Sequence, residues 1–156
     1  MKTYNIVSID EFKTNIENNS RLLGIDQGNK NIGFAICDEN KKVATPLKII
    51  EKTKFETLIS EINQIIKENN IKGIIVGNPI NMDGTLGKSS QAAADFAKRI
   101  SINVTVPITM WDERLSSEAS FKITKELGTN VSNRIDKLDK NAAAFILQGA
   151  IDYLSN

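Results

Sequence analysis

The sequence predicts an α/β fold: a mixed five-stranded sheet, a three-strand antiparallel meander plus two parallel strands, flanked by helices. Three observations predict it. Apolar runs near 22–26, 31–38 and 43–50 are joined by turns too short to hold a crossover. Two later apolar runs, Gly73–Gly77 and Val104–Trp111, each follow a segment of helical periodicity. The resulting order, βββ-α-β-α-β-α-α, is that of a sheet covered by helices.

Residues 1–20 form a polar N-terminal extension, and the main domain is expected over 21–156. Within the extension, Ser8-Ile9-Asp10-Glu11 matches a capping box, predicting a short helix through Phe12 and Ile16. Strand one ends on Asp26, strand two follows a Gly28 turn, and strand three contains Pro46. Proline donates no backbone hydrogen bond, so strand three belongs at a sheet edge or on a bulge. Thr53-Lys54-Phe55-Glu56 is a second capping box, opening a helix to about Asn69. Phe55, Leu58, Ile59, Ile62, Ile65 and Ile66 mark its buried face. The run 73–77 reads as a strand buried on both faces. A loop over 78–87 leads to a helix near 88–101 bearing Ala92, Ala93, Phe96, Ala97 and Ile100. Strand five spans 104–111 with Pro107 inside it, and helices near 116–127 and 138–154 finish the chain. Right-handed crossovers leave strands one, four and five parallel, so their carboxyl ends share one edge. That is the usual ligand edge of such a sheet.

Composition narrows the chemistry. At 156 residues, 40% hydrophobic and 25% charged, the chain suits one soluble domain with a substantial core. No apolar run approaches the ~18 residues of a membrane span, and no secretory or transit signal is evident. Cytoplasmic residence, away from membranes, is the expectation. With no histidine, a Ser-His-Asp or Cys-His system and a His-ligated zinc are excluded. The single cysteine, Cys37, lies in an apolar strand pattern and reads as core. Acid–base work therefore falls to carboxylates, lysines or metal-bound water. A net charge of +1 is far from the footprint of a strongly basic nucleic-acid binder.

Three segments gather at the shared edge, and a fourth opens the last helix. Asp26 ends strand one, with Gly24 on its own face and the small Gly33 and Ala35 on the neighbouring strand. Gly77-Asn78-Pro79-Ile80-Asn81-Met82-Asp83-Gly84-Thr85 supplies a polar loop, in which Asn78, Asn81 and Thr85 are candidate contacts to a substrate backbone. Lys88 beyond it can neutralise a phosphate. Trp111-Asp112-Glu113-Arg114-Leu115-Ser116 brings two acids and an arginine, and alternation does not decide which acid faces the site. Asp139-Lys140-Asn141-Ala142-Ala143-Ala144 opens the last helix with an acid in its first turn, where a negative charge suits the helix dipole. Each segment alone is explained by ordinary turns, caps and ion pairs.

Taken together, the four resemble the YqgF-type family, described both as Holliday junction resolvases and as bacterial pre-16S ribosomal RNA nucleases. The resemblance covers about residues 21–154. It rests on Leu23-Gly24-Ile25-Asp26 with Gly28 and Ile32-Gly33, on Gly77-Asn78-Pro79 with Asn81-Met82-Asp83-Gly84, on Trp111 to Ser116, and on Asp139-Lys140 with Ala142-Ala143 and Ile146-Leu147-Gln148. It implies a ribonuclease-H-like fold and assigns metal binding and catalysis to Asp26, Glu113 and Asp139. The chain departs from the family at Gln27, where proline is usual, at Asn29 for threonine, and at Asn31 for a basic residue. The stretch 132–137 before the last helix is also less basic than the family's. These departures bear on the grip on nucleic acid and leave the acids in place.

The expected function is hydrolysis of phosphodiester bonds with Mg²⁺ or Mn²⁺, hard ions that take oxygen ligands. Arg114, Lys88 and Lys140 are candidate phosphate contacts. The substrate is nucleic acid, with precursor ribosomal RNA ranked ahead of a DNA junction, and the protein is expected as a monomer or homodimer. Two rivals stand beside this reading. A noncatalytic RNA- or ribosome-binding module would share the fold. A phosphate-binding domain of the sugar-kinase and actin type would use the Asp26-Gln27-Gly28-Asn29 turn, but needs a second domain to enclose ATP.

Overall fold

A computed structural model describes residues 5–28, 30–52, 54–79, 84–85, 87–113 and 142–155. The elements are α1 (Ile9–Asn15), β1 (Arg21–Gln27), β2 (Asn31–Cys37), β3 (Ala44–Glu51), α2 (Phe55–Asn69), β4 (Ile71–Asn78), α3 (Lys88–Ser101), β5 (Ile108–Asp112) and α4 (Ala142–Leu154). The sheet order is β3-β2-β1-β4-β5. β1, β2 and β3 pair antiparallel, whereas β1–β4 and β4–β5 pair parallel. β1 is thus the central strand, and the carboxyl ends of β1, β4 and β5 lie together as expected.

Alternation along the strands builds two cores. On one face Leu23, Ile25, Phe34, Ile74, Val76 and Ile108 meet α2 and α3 through Leu58, Ile62, Phe96 and Ile100. The predicted α2 face is correct: Leu58, Ile62 and Ile65 are buried, with Phe55, Ile59 and Ile66 packed beside them. On α3, Ala93, Phe96, Ala97 and Ile100 are buried while Ala92 faces solvent, one position off the stripe. The opposite face buries Leu22, Ala35, Cys37, Ile75 and Trp111 under α1 and α4.

Pro46 has the consequence its chemistry requires. β3 is an edge strand, and its register against β2 shifts between Phe34↔Lys48 and Ala35↔Pro46. Pro107 shortens β5, which begins at Ile108 rather than near Val104. The Pro107 carbonyl accepts from the Ile74 amide at 2.9 Å, so the approach to the strand is still tied to β4. At α2 the N-cap is Lys54, without a side-chain cap bond, and Thr53 of the anticipated capping box lies outside the described residues.

The N-terminal residues pack on the sheet. Ser8 caps α1 by accepting from the Glu11 amide at 3.2 Å, as its capping box predicts. Val7 donates to the Ile108 carbonyl and the Ile108 amide donates to the Asn5 carbonyl, both at 2.8 Å, forming a bridge beside β5. Phe12 is fully buried, and a Cβ on Gly73 would lie 2.6 Å from its ring. At the chain's other end Gln148 pins α4 to β3: its Oε1 accepts from Ala44 at 2.9 Å and its Nε2 donates to the Lys42 carbonyl at 3.0 Å. The anticipated helix over 116–127 and the start of the last helix lie outside the described residues.

A candidate carboxylate site at the sheet edge

The site begins with the pleat of β1. Leu22, Gly24 and Asp26 point to the α4 face, where the chain runs from buried apolar residues to a half-buried carboxylate at the strand's end. α4 sits unusually low over this strand. A Cβ on Gly24 would lie 2.8 Å from Leu147 Cβ and 3.0 Å from the Ala143 carbonyl. Glycine at 24 and alanine at 143 therefore set the approach of the helix and bury the ground beside Asp26. At the β1–β2 turn, Gly28 donates to the Asn31 carbonyl at 2.9 Å, and a Cβ there would crowd the same oxygen.

Alternation along β5 settles which acid of the Asp112-Glu113 pair reaches Asp26. Trp111 faces the α4 side, and Glu113, two residues on, does the same just past the strand end. Glu113 hydrogen-bonds Asp26. Its Oε1 lies above Gly77, where a Cβ would come within 2.7 Å of it and within 2.5 Å of Ile146 Cδ1. Gly77 is thus the floor on which Glu113 lies, a role the sequence offered only as a loop-starting glycine. Asp112 pairs with Asn78 in the β4–β5 register, and its charge acts on Glu113.

Two carboxyl groups can hydrogen-bond only by sharing a proton. Burial and the negative charge of Asp26 push the Glu113 carboxyl up to about 7, with the hydrogen bond to Asp26 and the charge of Asp112 acting in the same direction. Burial also holds Asp26 above the ordinary carboxylate range, and its hydrogen bond with Glu113 opposes that rise. Burial thus raises both carboxyls, and each sits against the other. Such a pair, half-buried and made only of hard oxygen donors, suits a divalent cation that takes the place of the shared proton. Among the described residues no third His, Cys, Asp or Glu completes a cluster with it. Asp139, expected as the third acid, lies outside the described residues, as do Asn81, Arg114 and Lys140.

Of the other anticipated residues, Asn78 ends β4 at this edge, half-buried, and its Oδ1 accepts from Ser90 Oγ at 2.7 Å. That bond ties the strand end to the first turn of α3. Ser90 was not singled out by sequence, because a serine in a helical first turn has no chemical signature of its own. Lys88 opens α3 and is exposed. Thr85 is exposed in the preceding loop.

Comparison with known proteins agrees with this architecture. The family model described as "RuvX: Holliday junction resolvase" matches residues 20–153. A protein of Pelagibacter ubique named "Putative pre-16S rRNA nuclease" is 52% identical over 151 residues, covering 97% of this chain and 100% of its own. Among solved structures, Thermus thermophilus RuvC in complex with a Holliday junction substrate aligns with a TM-score of 0.54 at 13% identity, covering 88% of this chain and 96% of that one. The yeast mitochondrial Holliday junction resolvase Ydc2 aligns with a TM-score of 0.52 at 12% identity, covering 94% and 84%. The fold is ribonuclease-H-like, and the chain belongs to the RuvX family of Holliday junction resolvase description, which is the YqgF-type family its motifs resemble.

Proposed function

We propose that this protein is a divalent-metal-dependent nuclease that hydrolyses phosphodiester bonds in processing the 5′ end of precursor 16S ribosomal RNA. The observation that carries the reading is the juxtaposition of the Asp26 and Glu113 carboxyls at the carboxyl edge of the sheet. The name of the Pelagibacter relative supports ribosomal RNA as substrate, and the family description keeps a DNA junction as the second candidate.

Asp26, Glu113 and Asp139 would hold Mg²⁺ or Mn²⁺. When bound, such an ion supplies Lewis-acid polarisation of the phosphate and activation of water. The protein's own part is to hold two half-buried carboxylates side by side, whose oxygens would take up the cation in place of a proton. Gly77 and Gly24 keep Glu113 and α4 close to the sheet, so the acids are presented in a fixed geometry. Asn78, Asn81, Lys88, Arg114 and Lys140 are the proposed substrate contacts, with Asn78 held in place by Ser90. The nuclease domain is taken as 21–156 with 1–20 as its extension. A cytoplasmic setting is proposed from the ribosomal RNA substrate, and no helix among the described residues is long and apolar enough to cross a membrane.

The test is cleavage of a precursor ribosomal RNA end beside a four-way DNA junction, with Mg²⁺ or Mn²⁺ and with chelator. Metal-dependent cleavage of the RNA is the expected result. Cleavage of the junction alone would reassign the substrate. Cleavage of neither by folded, metal-supplied protein would leave a noncatalytic RNA-binding module.

A further inference from the structure

The sequence leaves the nucleic-acid grip thin at 132–137, and the sheet face opposite Asp26 carries a cavity that bears on it. A cavity of about 290 Å³ opens there between the β1–β2 end and helices α2 and α3. Gln27 and Ile32, paired with each other across β1 and β2, form one wall. Phe55 and Phe96 line the apolar part, and Lys52 and Arg99 supply two cationic groups. No acid lines it. Arg99 stacks its guanidinium 3.8 Å from the centroid of Phe55, holding an aromatic face and a positive charge together. Both cations are exposed at the surface while Phe96 is buried, so charge rims the opening and apolar surface lies deeper.

We propose that this cavity is a nucleotide subsite for the substrate strand, with a base against Phe55 and Phe96 and a phosphate between Lys52 and Arg99. An apolar aromatic surface next to a guanidinium and an ammonium matches a base joined to its phosphate. Gln27 supplies amide donors and acceptors for a base edge. Placement gives the reason for the strand: Gln27 follows Asp26 directly, with its side chain on the opposite face. A strand whose scissile phosphate lies at Asp26 therefore has this cavity within reach across the sheet edge. The inference rests on the nuclease reading for its choice of ligand, but its test reads binding without cleavage.

The measurement is fluorescence anisotropy of a labelled single-stranded RNA hexamer, in chelator, on the full chain carrying Asp26→Asn. Adding Lys52→Ala and Arg99→Ala is expected to weaken binding about tenfold and to flatten its salt dependence by roughly one phosphate's share. Arg99→Lys with Lys52 intact should recover much of the salt dependence but less of the affinity, since the planar stack on Phe55 is gone. Lys67→Ala, on the exposed side of α2, is the control and should bind like its parent. Unchanged affinity and salt slope in the double variant, with its melting temperature preserved, overturn the subsite. A nucleoside triphosphate that competes at the hexamer's own affinity also overturns it, in favour of a free-nucleotide pocket. If the hexamer binds through Lys52 and Arg99 while the chain with Asp26 intact, supplied with Mg²⁺ or Mn²⁺, cleaves nothing, the subsite stands and the nuclease reading fails.

Discussion

The two faces of the sheet solve different problems. Toward α2 and α3 the strands present branched aliphatic and aromatic residues, Ile25, Phe34, Ile74 and Val76, and the helices stand off at ordinary packing distance. Toward α4 the strands also bury Leu22, Ile75 and Trp111, but near the acids they present Gly24, Ala35 and Gly77, and the helix drops until its own backbone nearly touches β1. Close approach removes water from around Asp26 and Glu113, and desolvation is the largest cause of both upward shifts. The bulky face stabilises mainly by burying area. The small-residue face gives up some of that area and gains an electrostatically poised pair of acids.

This contrast can be broken most severely at the acids. Asp26→Asn is expected to lower the cleavage rate on the order of 10³-fold or more while the protein stays folded, as read by RNA cleavage beside thermal melting. Cleavage within a factor of two of the parent would remove Asp26 from the mechanism. Gly77→Ala comes next. Its Cβ meets the far ends of Glu113 and Ile146, which can swing aside, so activity should fall roughly 10–100-fold with little thermal cost. A variant that melts much earlier yet cleaves normally would show that Gly77 serves packing alone.

Gly24→Ala presses on the Leu147 Cβ and the Ala143 carbonyl, which cannot rotate away. It should destabilise by about 1–3 kcal/mol, a melting shift of roughly 2–12 °C. The opposite kind of change on the bulky face, removal of one methylene by Ile74→Val, costs only about 0.5–1.5 kcal/mol. Equal losses at the two positions would erase the proposed difference between the faces.

The smallest expected effect is with pH. Glu113 is raised to about 7 in the folded protein, so the folded state holds a proton that the unfolded chain releases near the ordinary glutamate value. Its favourable contribution is complete below that ordinary value and is lost as pH rises through about 7. Metal-free protein should therefore melt a few degrees lower at about pH 8 than at about pH 5, and Glu113→Gln should reduce the difference. Stabilisation by added Mn²⁺ should grow over the same interval, because cation and proton compete for one pair of oxygens. A metal effect that is equal at both pH values would separate the cation from the Asp26–Glu113 pair.

The periodic elements were legible because their cause is local. Apolar residues at two-residue and three-to-four-residue spacing give β1, β4, α2 and α3 within a few residues, and the missing amide of Pro46 places β3 at the edge. Pro107 was visible too, yet its power to delay β5 until Ile108 depends on which backbone groups β4 offers as partners. The packing of residues 5–20 escaped for the same reason: Phe12 looks like any exposed-helix aromatic until the space above Gly73 is known.

For the site, sequence alone determined the chemical type. The absence of histidine and the strand-ending acids point to carboxylates on a shared edge, with Asp26 at its centre. Tertiary structure decided the partnership. Whether Asp112 or Glu113 meets Asp26 depends on the phase of β5 at its end, and a one-residue slip reverses it. That Gly77 lies beneath Glu113, and that Lys52, Phe55 and Arg99 surround one cavity, are facts of distance between elements. Composition fixes which groups are present, but desolvation and hydrogen bonding act only between groups that folding has brought within a few ångströms of each other.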